Sequence, residues 1–77
     1  MWVVSQNSEK VLNCYSFSIT KYYVLKKYKY AITGEFAHNF WGSCKEILSL
    51  YHTKEDALKD LDRLNKSLMK GENLFKF

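Results

Sequence analysis

Four side chains of this sequence could ligate a metal or attack a substrate: Cys14, His38, Cys44 and His52. Metal sites announce themselves as close pairs, because one turn must hold two ligands at once. None of the four stands at C-x-x-C or H-x-x-x-H spacing. Small buried thiols and loop histidines are the simpler reading. Either cysteine beside either histidine would make a nucleophile and a base. Nothing marks an oxyanion hole, however, and three glycines leave no phosphate-cradling loop. Glu35 and His38 form an isolated acid–base pair. The expectation is a protein that is not an enzyme and uses no metal or cofactor.

A second chemistry is cationic and aromatic. Residues 21–30 read KYYVLKKYKY, four lysines and four tyrosines around Val24 and Leu25. Lysines neutralise phosphates and tyrosine rings stack on bases. Lys21, Lys26, Lys27 and Lys29 are therefore candidate contacts for nucleic acid or an anionic nucleotide. Lys59, Arg63, Lys66 and Lys70 stand at i, i+4, i+7 and i+11 and make a second basic stripe on a helix. Each group has a plainer reading. Alternating tyrosines suit a strand face, lysines on an edge discourage aggregation, and cations late in a helix suit its dipole. Eleven lysines to one arginine also lower the nucleic-acid reading, because a phosphate reader favours arginine's fork. The third candidate is FAHNFW, where Phe36, Phe40 and Trp41 would form an aromatic contact for a protein partner, or else plug the end of a small sheet.

The elements that must position these groups follow from periodicity. Trp2 to Gln6 opens as a strand, and Asn7 to Lys10 is a polar turn. Val11 to Ile19 reads as a strand, or a strand with a bend, placing Val11, Tyr15, Phe17 and Ile19 on one face. Two strands joined at Lys26-Lys27 fit the next segment, with Tyr28, Tyr30 and Ile32 facing inward; one long bent strand also fits. Gly34 ends that unit. Glu35 to Ser43 is read as loop with a fragment of strand, and Glu46 to Tyr51 as a strand.

The helix signal is sharper. Thr53 with Asp56 resembles a capping box, and Glu55 and Asp56 suit the first turn. Ala57, Leu58, Leu61, Leu64 and Leu68 form one apolar stripe. Glu55–Lys59 and Asp62–Lys66 are favourable pairs. Gly71 stops the helix, and Leu74 to Phe77 is too apolar for a free tail, so it should dock as an edge strand or onto the core.

Strands followed by one helix, rather than alternating with helices, predict an α+β fold: an antiparallel sheet of four to six short strands with a C-terminal amphipathic helix packed on it. The chain of 77 residues should form one domain over residues 1–77. At 47% hydrophobic and 17% aromatic it supplies a core and argues against disorder. So much apolar surface on a small body also favours self-association or a protein partner. The net charge of +4 permits anionic partners without requiring them. No apolar run reaches the ~20 residues of a membrane span and no h-region is present, so a cytoplasmic protein with reduced thiols is expected.

The start MWVV with its polar turn, the segment YAITGEF and the joint LYHTKEDALKDL carry a resemblance. They are similar to small uncharacterised proteins of low-GC Gram-positive bacteria and their phages and mobile elements. Those proteins commonly begin Met-Trp and carry a Tyr-x-Thr-x-Glu-(Glu/Asp)-Ala-x-x-x-Leu joint, matched by Tyr51, Thr53, Glu55, Asp56, Ala57 and Leu61. The resemblance implies a source and supplies no catalytic residues. The exposed aromatics suggest a non-enzymatic interaction module that binds a host protein, with a small basic binder of nucleic acid or an anionic nucleotide as the alternative, and the resemblance extends the first to inhibition of a host defence protein.

Overall fold

The computed structural model describes residues 1–24, 26–39 and 42–77, with the backbone alone for residues 38, 39 and 43. Among the described residues, six strands and one helix follow in the order β1 (Trp2–Val4), β2 (Val11–Asn13), β3 (Ser16–Lys21), β4 (Tyr30–Asn39), β5 (Gly42–Tyr51), α1 (Lys54–Met69) and β6 (Leu74–Lys76). The strands form two three-stranded sheets, ordered β2-β1-β6 and β3-β4-β5. All pairings are antiparallel except β1 with β6, which is parallel. The α+β expectation with one C-terminal helix holds. The docked C-terminal edge strand also holds.

The predicted strand from Val11 to Ile19 is two strands. The Cys14 N–H donates to the Met1 carbonyl at 2.9 Å, whereas the Tyr15 N–H donates to the Glu35 carbonyl at 2.9 Å. Two successive amides are thus claimed by different sheets, and the chain changes layer between them. The switch also breaks the expected face. Phe17 and Ile19 turn to the core, while Val11 and Tyr15 stay exposed.

Two further expectations are corrected. Gly34 does not end a strand, and residues 35–39 are not loop, since β4 runs through both. Gly34 sits opposite Phe17, where a Cβ would lie 2.7 Å from Cys14 Sγ and 2.8 Å from Leu48 Cδ1. The missing side chain lets a cysteine and a leucine close over the strand, which is a packing role for glycine. Local composition could not reveal that role.

Helix α1 begins as expected. Thr53 is the N-cap, and its Oγ1 accepts from the Asp56 N–H at 3.2 Å. It ends in a Schellman motif at Gly71, φ 76°. The Gly71 N–H donates to Leu68 at 3.0 Å and the Glu72 N–H to Ser67 at 3.2 Å. The buried stripe is narrower than predicted. Ala57 and Leu64 are buried, Leu61 is partly so, and Leu58 and Leu68 are exposed. Ser67 is buried in their stead, because its hydroxyl donates to Glu72 Oε2 at 2.8 Å and is satisfied there.

The core lies between the two sheets and α1. Val3 and Phe75 from one sheet meet Leu48, Cys14 and Leu64, and a neighbouring group joins Ile32, Tyr51 and Ala57. Tyr51 marks the joint of β5 with the helix. Its hydroxyl donates to Asp60 Oδ2 at 2.7 Å, and Arg63 reaches Asp60 Oδ1 at 2.9 Å. Burial first, and the Asp60 hydrogen bond second, push the Tyr51 phenol above its usual range. Both cysteines are free thiols, and burial raises that of Cys14.

Candidate functional site

The KYYVLKKYKY segment is not one bent strand but joins two strands. β3 stops at Lys21, β4 starts at Tyr30, and the connection carries a turn at Lys26-Lys27; Leu25 lies outside the described residues. The inward row is as expected: Tyr28 and Tyr30 are half-buried and Ile32 is fully buried. The other tyrosines go elsewhere. Tyr23 keeps 81% of its surface exposed.

The described residues of the connection and the adjoining strand ends line an open cleft of about 410 Å³. Its walls are Lys21, Lys26, Lys29, Tyr22, Tyr23, Tyr28 and Tyr30, with no carboxylate among them. Lys27 lies outside the wall, and its ammonium stands 5.6 Å from the Tyr28 ring centroid.

Three bonds anchor the base. The Tyr22 N–H donates to the Lys29 carbonyl at 2.8 Å, and the Lys29 N–H donates to the Tyr51 carbonyl at 3.0 Å. His52, just before the helix, donates from Nδ1 to the Lys27 carbonyl at 2.8 Å. Its ring also lies 4.9 Å from that of Tyr28. Sequence reasoning treated His52 only as a loop histidine or unlikely ligand. Its bracing role depends on β5 ending beside β4, which no local motif reports.

Some cations outside the cleft are paired, whereas among the described residues Lys54, Lys59, Lys70 and Lys76 make no ion pair. Lys10 pairs with Glu46, Lys45 with Glu35, Arg63 with Asp60 and Lys66 with Asp62. Among the described residues, Lys21, Lys26, Lys27 and Lys29 make no such pair. The helix stripe of Lys59, Arg63, Lys66 and Lys70 is therefore half neutralised by its own carboxylates. Arg63 is further held 5.3 Å over the Phe75 ring. Lys76, which sequence did not single out, joins Arg63, Lys66 and Lys70 around a second hollow of about 400 Å³, shared with Glu72. β6 brings it there.

The aromatic candidate divides. Phe36 lies on β4, partly buried and packed against the main core cluster. The loop placement of Phe36 is thus corrected, because β4 extends to Asn39 and turns its ring toward the core. Phe40 and Trp41 lie outside the described residues.

Exposed apolar surface appears instead on the outer face of the β2-β1-β6 sheet. Strand alternation places Trp2, Val4, Val11 and Leu74 there together. Trp2, Val11 and Leu74 are 49%, 55% and 59% exposed.

Among the described residues no group of three or more His, Cys, Asp or Glu side chains converges as metal ligands. No described helix is long and apolar enough to cross a membrane. Against protein-family models, curated proteins and solved structures, the chain finds no match.

Proposed function

We propose that the protein is a non-enzymatic binding module for an anionic, ring-bearing ligand, either single-stranded nucleic acid or an anionic nucleotide. One observation carries the reading: three lysines and four tyrosines, without a carboxylate, line one cleft. Exposed cations without partners lose little on meeting a phosphate, since no internal ion pair must break first. Tyrosine faces accept any base, with each stacked base worth about 1–3 kcal/mol. The test is fluorescence anisotropy with labelled single strands and nucleotides at rising salt. Binding that weakens steeply with salt is expected. No binding of either ligand at low salt would overturn the reading.

A second reading rests on a separate observation, the apolar outer face of Trp2, Val4, Val11 and Leu74. Adjacent aromatic and aliphatic side chains of this kind form the centre of protein contacts. That face supports a protein partner, including the host protein implied by the resemblance, or a second copy of the chain. Sedimentation of the native protein against Trp2→Lys tests self-association. A single species of unchanged mass over a wide concentration range in both proteins removes the second copy as occupant.

A further inference from the structure

We infer that the ligand of the Lys/Tyr cleft is a free nucleoside di- or triphosphate rather than a nucleic-acid strand; this rests on the binding reading above and narrows it. Size gives the first argument. A cleft of about 410 Å³ lies at the small-ligand end of the range for binding sites. It has room for one base and its phosphates, not for a run of nucleotides.

Charge gives the second. A strand binder continues its cations along the path of the backbone. Here the lining cations are three, with Lys27 alone next to them outside the wall. His52 rests on Tyr28, and the helix that follows shows exposed Glu55 and Asp56 in its first turn. A strand leaving on that side meets these two carboxylates, offset in part by Lys54. Along β3 and β4 the surface is Ser18 bonded to Thr33, followed by Glu35 paired with Lys45. Of the four helix cations, Arg63 and Lys66 are engaged by Asp60 and Asp62.

Composition gives the third. A nucleoside diphosphate carries about three negative charges near neutral pH, which matches the three lining lysines. Lysine, a flexible point charge, suits a compact cluster of phosphate oxygens. Half-buried Tyr28, backed by His52, supplies a fixed face for the base. Tyr23, 81% exposed, lines the same cleft and offers a second ring.

The experiment is calorimetric titration of the intact protein with ADP, adenosine, inorganic pyrophosphate and a length series of single-stranded oligonucleotides. ADP should bind, and adenosine and pyrophosphate should each bind about tenfold or more weakly, because each lacks one of the two recognised parts. Lys26→Ala with Lys29→Ala should weaken ADP about tenfold, while circular dichroism remains native. Pyrophosphate binding as tightly as ADP would overturn the inference, since the tyrosines would then contribute nothing. Oligonucleotide affinity that climbs with length, with ADP unable to compete, would overturn it and leave the binding reading standing. Absence of binding by every ligand would end both.

Discussion

The His52 ring nitrogen Nδ1 donates to the carbonyl oxygen of Lys27 at 2.8 Å, tying the residue before the helix cap to the tip of the lysine turn. Histidine and lysine are far apart in sequence, and the bond fixes where the turn hangs relative to the cleft. His52 touches no proposed ligand atom, so it acts as a positioning residue. His52→Ala should weaken ligand binding several-fold through lost preorganisation. The melting temperature should move by only a few degrees, because the residue is exposed. Hydrogen exchange at the Lys26 and Lys27 amides separates positioning from general destabilisation. Only those amides should speed up.

The two basic groups should respond differently to substitution. Charge reversal at Lys26 and Lys29 should abolish anion binding, while Lys59→Ala and Lys70→Ala should leave it within about twofold, well under the tenfold that 1.4 kcal/mol represents. Anisotropy titrations on the two double variants decide it. Equal losses in both would assign the helix stripe a share of the ligand.

Gly34→Ala should destabilise the fold by about 1–3 kcal/mol, the usual cost of overpacking. The added methyl would enter space held by Cys14 Sγ and Leu48 Cδ1. Adding Cys14→Ala should recover part of the loss, because the sulfur is the nearer obstacle. Urea denaturation of the two singles and the double measures the coupling. Additive losses would mean that the strand moves instead of the side chains.

Alkaline stability should depend on Tyr51. Burial and Asp60 hold its phenol protonated above the ordinary tyrosine range in the folded chain. The folded chain therefore keeps this proton more tightly than the unfolded one. The stabilisation is complete below about pH 10, the unperturbed value, and drains away as pH rises further. Tyr51→Phe loses the Asp60 hydrogen bond, about 1 kcal/mol at neutral pH. Its disadvantage against the native protein should shrink above about pH 10. Thermal melts of both proteins across that range give the comparison.

Local signals in the sequence located some of this and could not locate the rest. Helix α1 was legible to the cap, because Thr53, Asp56 and Gly71 act through bonds within one turn of themselves. The inward row of Tyr28, Tyr30 and Ile32 was legible because a strand's period is imposed by its backbone. The layer change at Cys14 and Tyr15 was not. Asn13 alone interrupts the apolar row and fits a bend equally well, and the break arises because Met1 and Glu35 take adjacent amides. Gly34 looked like a terminator for the same reason, since its value lies in what packs above it. The lysines and tyrosines of the cleft stood in one contiguous stretch, so their chemistry could be listed. Their convergence depends on the connection meeting the ends of β3 and β4, and on His52 arriving from β5.

The parallel contact between β1 and β6 has a consequence for the newly made chain. β1 is the middle strand of its sheet, flanked by β2 from nearby in sequence and by β6 from far away. Until residues 74–76 have been synthesised and have swung back, one whole edge of β1 is bare, with Trp2 and Val4 beside it. Long-range closures of this kind are slow steps, and a bare hydrophobic edge recruits other strands in the meantime. The interval between synthesis of β1 and the arrival of Phe75 is therefore when this protein is most exposed to aggregation, and when a chaperone would matter most.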